Sequence, residues 1–215
     1  MITGSSGLIG SAVTRRLSDL GIGCVGIDLR ALNAERRIDI CDSAALAPFL
    51  EGIAGIIHLA AVSRVIHGEN NPALCRVVNV DATRGLVEMA LAAPRPPWLI
   101  YASSREVYGQ QDKLPVREDS AFRPLNVYAR SKVDAERLLG EAREASLQTA
   151  IVRFSSVYGS VNDHRDRVVP AFAAAAMCGG VLRVDGAECC FDLTHVDDVA
   201  LGVTRVVELL LAGER

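Results

Sequence analysis

Aromatic side chains are scarce, 5% of the 215 residues, so the core must be aliphatic, as is common in layered α/β domains. Runs of Lys or Arg are missing, and 23 basic against 26 acidic residues leave a formal charge of −3. The counterion-releasing surface that nucleic acid requires is therefore not expected. The longest uncharged stretch, residues 168–182, is broken by Pro170 and by Gly179-Gly180, and falls short of the roughly 20 apolar residues of a bilayer span. The four histidines, His58, His67, His164 and His195, never fall at i, i+4 spacing or beside a cysteine, so no metal site is expected. Six cysteines, Cys24, Cys41, Cys75, Cys178, Cys189 and Cys190, contain no C-x-x-C pair, and a chain of this size needs no disulfide staples; free, mostly buried thiols are expected. A glycine-rich segment starting at Thr3 leaves no space for a secretory leader, which points to the cytoplasm.

Half of the residues are hydrophobic, enough for one domain with a sizeable core, or one domain with a small appendage. Short apolar runs at Cys24 to Ile27, Ile53 to Ala61, Trp98 to Ala102 and Thr149 to Phe154 read as buried strands. Helical patterns fill the gaps. Ile9, Val13, Leu17 and Leu20 recur at helical spacing before Gly21, and Ala82 to Ala92 and Ala129 to Ala145 are amphipathic. This alternation predicts an α/β fold: a Rossmann-type, doubly wound parallel sheet with helices on both faces.

Gly4, Gly7 and Gly10 lie between a short first strand, Met1-Ile2-Thr3, and the first helix. Glycines at such a junction allow a tight turn, let backbone N–H groups approach a pyrophosphate, and let the helix pack closely on the strand. A glycine cluster alone fits an ordinary turn as well. Asp28, closing the next apolar run, is placed to accept hydrogen bonds from an adenosine ribose diol, which points to NAD. Arg30 would partly compensate a 2′-phosphate, leaving NADP as the lesser reading, and Asp28 as a simple loop cap is the bland one.

Tyr128 and Lys132 stand four residues apart at the start of a helix and therefore share a face. A nearby ammonium favours phenolate over phenol, as a general base for alcohol oxidation requires; a solvated helix surface is the plain alternative. Upstream, the strand ending at Ala102 delivers Ser103, Ser104, Arg105 and Glu106 to the sheet edge where open α/β folds bind ligands. Ser104 is placed to hold a reacting oxygen, although turn or cap chemistry explains Ser103 and Ser104 equally, and Glu106 reads alternatively as a solvated loop charge.

Thr3 to Gly10, Asp28, Asp39-Ile40, His58 to Ala61, Asn79-Val80, Ser104 to Gly109, Tyr128 with Lys132, Arg153 to Gly159 and His195 to Ala200 occur in an order that covers nearly the whole chain. Together they resemble the extended short-chain dehydrogenase/reductase superfamily, and within it the NAD-dependent nucleotide-sugar epimerases and dehydratases. The resemblance implies that Gly7, Leu8 and Ile9 meet the pyrophosphate in the turn of Gly4 and Gly10, Asp28 the adenosine ribose, and Asp39 and Ile40 the adenine. Leu59, Ala60, Ala61, Asn79, Ala102, Phe154 and Val157 would line the cofactor groove. Tyr128 would take the hydroxyl proton while hydride passes to NAD, with Ser104 holding the oxygen and Lys132 fixing the ribose and tuning the tyrosine. Glu106 would act beside a transient keto-sugar.

Ser104-Arg105-Glu106 carries Ser and Arg where sugar-nucleotide dehydratases and decarboxylases carry Thr and an acidic or small polar residue. That favours an epimerase of the UDP-glucose 4-epimerase kind over a dehydratase. An alcohol or ketone reductase of the same superfamily, and a catalytically silent NAD-binding protein, are the alternatives. Residues 1–155 are expected to form the NAD-binding domain and residues 156–215 a partial, apparently truncated substrate-binding region interleaved with it. The nucleoside-diphosphate sugar is the expected partner, with neither nucleic acid nor membrane. Ser156 stands where the family commonly has a substrate-holding Asn. Val203, Val206, Val207, Leu210 and Leu211 make an apolar stripe on the last helix that, left uncovered, would support a homodimer.

Overall fold

The computed structural model describes residues 1–160, 163–182, 184 and 190–213. Five strands, β1 (Ile2–Thr3), β2 (Gly26–Ile27), β3 (Gly55–His58), β4 (Trp98–Ser104) and β5 (Thr149–Phe154), form one parallel sheet in the order β2-β1-β3-β4-β5. The predicted doubly wound parallel sheet is thus present. Its strand order reverses at β1, where β2 lies on one side and β3 on the other, and the carboxyl ends of β1 and β3 flank the crevice that such a reversal opens. A separate parallel pair, β6 (Ser156–Tyr158) and β7 (Leu193–His195), lies beyond β5 in sequence.

The helices are α1 (Leu8–Asp19), α2 (Ser43–Leu46), α3 (Val65–Asn70), α4 (Pro72–Arg76), α5 (Ala82–Ala92), α6 (Val127–Glu144), α7 (Val168–Cys178) and α8 (Val196–Leu211). A π-helical turn, Val77–Asp81, joins α4 to α5. Along β4 the side chains alternate between two cores. Leu99 and Tyr101 pack with Leu86, Ala135 and Leu139 of α5 and α6, whereas Ile100 packs with Val13 and Leu17 of α1 and Val199 and Val203 of α8. That period-2 division puts a helical layer on each face of the sheet.

The strand nearest the crevice is shorter than its apolar run. β3 ends at His58; Leu59 N still donates to the Thr3 carbonyl at 3.2 Å, and Leu59 and Ala60 then lie against the glycine turn. Membrane crossing finds no candidate among the described helices. Two expectations need correction. Of the five cysteines described, Cys75 is buried and Cys24 half-buried, but Cys41, Cys178 and Cys190 are exposed, because they sit in a turn, at a helix end and in a connection; Cys189 lies outside the described residues. The apolar stripe of α8 is not left open either. Val203 and Val207 are buried, and Val206 and Leu210 pack with them against the α1 layer; of the five residues Leu211 alone stays exposed.

One polar group is sealed inside the sheet. His58, 1% exposed, bonds Thr3 Oγ1 through Nδ1 at 2.7 Å and Thr83 Oγ1 through Nε2 at 3.0 Å. The Thr83 hydroxyl donates onward to the Asn79 carbonyl at 2.9 Å, so it accepts from His58, and the ring is the neutral Nε2–H tautomer. Burial, helped by the Lys132 ammonium, pushes the His58 pKa down to about 3. The unfolded chain binds this proton below pH ~6.5 and the native chain does not, so stability drains away as pH falls from about 6.5 toward about 3. In urea unfolding followed against pH, His58→Gln is expected to remove about one proton from the slope within that window. A slope equal to wild type would show that His58 is not held neutral.

Candidate active site

The crevice is lined first by the turn after β1. Gly4 sits at φ +70°, and a Cβ on it would lie 2.7 Å from the Ala60 nitrogen; a Cβ on Gly10 would lie 2.1 Å from the Gly4 carbonyl oxygen. Glycine at both positions brings the turn, α1 and the segment after β3 into backbone contact. Helix α1 starts after Gly7 with no side-chain cap, so its leading N–H groups, those of Leu8 and Ile9 included, are open to an anion.

Asp28, 8% exposed, extends this cradle from the end of β2. Its Oδ2 accepts from Ser6 N at 3.0 Å and its Oδ1 from Arg30 N at 2.7 Å, while the exposed Arg30 side chain approaches Oδ1 at 3.6 Å. The carboxylate is thus a loop brace. Two backbone donors leave acceptor capacity on both oxygens, which fits a vicinal diol.

The second group of residues gathers where β4 meets α6. Asn126 caps α6 by accepting from Ala129 N at 2.7 Å, which sets the helix phase and brings Tyr128, Ser131, Lys132 and Glu136 to its buried face. Lys132 Nζ donates to the Ala102 carbonyl at 2.8 Å and lies 5.9 Å from the Tyr128 ring centroid. The Ser104 hydroxyl accepts from Glu106 N at 3.2 Å and lies close enough to Tyr128 to favour its ionised form. Ser104, Tyr128 and Lys132 therefore converge on one edge of the sheet.

Their electrostatics differ from the simple expectation. Burial raises the Tyr128 pKa above its ordinary value of 10; the Ser104 hydroxyl and the Arg167 cation act to lower it, and Glu106 and Cys75 to raise it. Lys132 is itself pushed down to about 8 by burial, against the pull of Cys75 and Glu136. The protein by itself holds a neutral phenol, because desolvation outweighs the cations that face it.

Glu106 is pinned on both oxygens. Oε2 accepts from Asn126 Nδ2 at 3.2 Å, and Oε1 pairs with Arg105 at 3.4 Å. Its side chain is about one-third exposed and faces Tyr128, beside the reacting edge.

Several other candidate residues do internal work. Asn79, 1% exposed, accepts from Val62 N at 2.8 Å and donates to Val62 O at 3.1 Å and Ser131 Oγ at 2.9 Å, so it braces the groove wall from behind. Leu59, Ala60 and Ala61 form that wall and are half-buried. Asp39 is exposed and closes its own turn by accepting from Cys41 N at 2.9 Å, whereas Ile40 is buried in the α5/α6 core. Phe154 and Val157 pack in the core beneath α8, and Phe154 also lines a cleft of about 360 Å³ between β5 and α8 rather than the groove at the glycine turn.

Sequence reasoning missed Asn126, whose place two residues before Tyr128 is a helix-start signal. It also missed Glu136, one helical turn beyond Lys132. Glu136 accepts the Ser103 hydroxyl and holds Arg153 at 2.7 Å, and Arg153 in turn donates to Tyr108 Oη at 2.6 Å. This node ties the end of β4 to α6 and β5.

Comparison with known proteins agrees with this geometry. The model of the NAD dependent epimerase/dehydratase family matches residues 1–215. The chain is 29% identical to UDP-glucuronate 4-epimerase 1 of Arabidopsis thaliana, covering 94% of this chain and 53% of that protein. It is 30% identical to methionine adenosyltransferase 2 subunit beta of Xenopus laevis, covering 97% of this chain and 61% of that one. The chain therefore spans little more than half the length of these relatives. Among solved structures, UDP-glucose 4-epimerase from Brucella ovis in complex with NAD superposes with a TM-score of 0.86 at 28% identity, over 99% of this chain and 74% of that one.

The cost of the glycine contact is measurable against a control. Gly21 also has a positive φ, +73°, but open space around it. In urea unfolding Gly21→Ala should cost about 1 kcal/mol from backbone strain alone, and Gly4→Ala several times more, because strain and collision with Ala60 combine. Equal losses would mean that the turn does not depend on this approach.

Proposed function

The chain belongs to the NAD-dependent epimerase/dehydratase family, and from that membership we propose that it binds NAD and acts on a nucleoside-diphosphate sugar through a transient keto-sugar, as an epimerase in preference to a dehydratase. The observation that carries this reading is the convergence of Ser104, Tyr128 and Lys132 at the sheet edge beside the glycine turn. The donor set suits the cofactor: uncapped N–H groups at the start of α1 for a pyrophosphate, and the Asp28 carboxylate for a ribose diol. When bound, NAD supplies the hydride acceptor and a cationic ring.

Gly7, Leu8 and Ile9 would hold the pyrophosphate, Asp28 the adenosine ribose, and Lys132 the second ribose, with Leu59 to Ala61 as the wall. Asp28 as the ribose partner supports NAD over NADP, since its charge repels a 2′-phosphate. Tyr128 accepts the proton of the sugar hydroxyl at its phenolic oxygen, and Ser104 holds the hydroxyl oxygen in line. Proton transfer needs a lower phenol pKa than burial allows, and positive charge in the groove adds to what Ser104 and Arg167 already contribute.

The epimerase reading rests on Glu106. Elimination needs a carboxyl group free to move a proton beside the keto-sugar, whereas here Arg105 and Asn126 engage both oxygens. Rotation of the keto-sugar and hydride return need no such group. The division into residues 1–155 for the cofactor and 156–215 for part of the substrate region belongs to the same proposal, as does a homodimer, read by sedimentation velocity. A second reading, an NAD-binding subunit without turnover, is favoured by the similarity to a methionine adenosyltransferase subunit.

A sugar-nucleotide panel incubated in deuterated water separates these readings. Inversion without solvent deuterium supports the epimerase, deuterium at sugar carbon 5 indicates dehydration, and NAD binding with no turnover across the panel supports the subunit. Tyr128→Phe is expected to slow turnover by roughly 10²–10⁴ while NAD stays bound. Glu106→Gln should change epimerisation by less than about tenfold, since general acid/base work would be worth 10² or more. A larger loss would return Glu106 to the proton transfers.

A further inference from the structure

Lys132 is the only buried Lys or Arg side chain among the described residues, at 3% exposure. A buried ammonium is stable only when paired or otherwise compensated, and among the described residues it has no ion-pair partner. The nearby carboxylate of Glu136 is already engaged by Arg153 and Ser103. What remains is the Ala102 carbonyl at 2.8 Å and two aromatic faces, the Tyr101 ring at 4.7 Å from Nζ to centroid and the more distant Tyr128 ring at 5.9 Å.

Tyr101 is an odd residue for its position. It is 1% exposed, burial holds its phenol neutral, and its hydroxyl has no hydrogen-bond partner. Its polar atom therefore contributes no bond, and its other near neighbour is the neutral His58 ring, 5.8 Å away and tilted by 41°. The part of Tyr101 that meets a charge is the π-face, and an ammonium over such a face in a desolvated site is attracted by the ring quadrupole.

We propose that Tyr101 is a positioning residue whose ring face seats the Lys132 ammonium, as a cation, between β4 and Tyr128. Its consequence for turnover rests on the role of Lys132 given above; the seating itself does not. The groups around Lys132 are Cys75 from α4, Tyr128 and Glu136 from α6, His58 from β3 and Tyr101 from β4. Cys75 and Glu136 favour the cation, whereas burial opposes it.

The chain offers a direct readout, because it contains two lysines, Lys132 and the exposed Lys113. With lysine labelled at carbon ε, NMR should show two lysine signals, the second of which, from Lys132, titrates near pH 8. Tyr101→Phe keeps the ring face and should leave that second titration unchanged. Pentafluorophenylalanine at position 101 keeps the ring shape but inverts its quadrupole, and should lower the Lys132 titration by about one pH unit or more. Tyr101→Leu should do the same where it folds. In the sugar-nucleotide assay, kcat at neutral pH should fall in the same order, with KM for the sugar nucleotide little changed and Tyr101→Phe near wild type. A fluorinated variant that titrates with wild type overturns the proposal. A wild-type protein inactive on every sugar nucleotide overturns the enzymatic reading instead, and the titrations still decide the role of Tyr101.

Discussion

The close approach of two backbones at the sheet's reversal point governs the arrangement of the groove. With no Cβ on Gly4, the turn after β1 lies directly on Leu59 and Ala60, and with none on Gly10, α1 packs down on the Gly4 carbonyl. These contacts place an uncapped helix N-terminus beside the exit of β3. Any side chain at either position would push α1 outward, and the N–H groups would no longer face the same groove as the β4 edge. Asp28 and Asn79 act as braces from opposite sides, the first on the turn and the second on the segment after β3.

On the other side of the groove, α6 works as a rail. Asn126 fixes its start, and successive turns carry Tyr128, Lys132 and Glu136 to the same face. Each is matched to β4: Tyr128 to Ser104, Lys132 to the Ala102 carbonyl and Glu136 to Ser103. Three neighbouring residues of one strand are thereby locked in register with three turns of one helix. A slip of either element would break all three contacts together, which gives the site more rigidity than any single hydrogen bond could supply.

Much of this was legible beforehand, for reasons of periodicity. The strand at Thr149–Phe154 and the helix at Ala82–Ala92 coincide with their apolar patterns, because a buried strand and an amphipathic helix each impose a period on the sequence. The glycine turn and the Tyr128/Lys132 pair were visible because spacing alone puts them on one turn or one face. Hidden were features set by contacts distant in sequence. The run from Ile53 to Ala61 does not show that the strand is confined to Gly55–His58, nor that Ala60 turns against Gly4. The stripe on α8 pointed outward only until α1 was seen to cover it. Tyr101 carries no local signal, as its partner Lys132 lies 31 residues away on α6, and Asn79 was named from the resemblance while its bond to Ser131, 52 residues away, stayed out of sight.

The energetics of Tyr128 show why such rigidity matters to the proposed chemistry. Desolvation is the largest influence on the phenol, and it acts against ionisation. A more open site would relieve that penalty but would also weaken every charge interaction by admitting water. A closed site keeps the penalty and magnifies the effect of each nearby cation. The neutral phenol of the protein alone is then the resting condition of a base whose strength depends on positive charge arriving beside it. Lys132 is poorly placed to act alone, since burial brings its own pKa down to about 8 and its ammonium faces the Ala102 carbonyl. Coupling proton transfer to an occupied groove follows from this balance: without the added charge, Tyr128 keeps its proton, and the site does not abstract one from solvent or from an unproductive ligand.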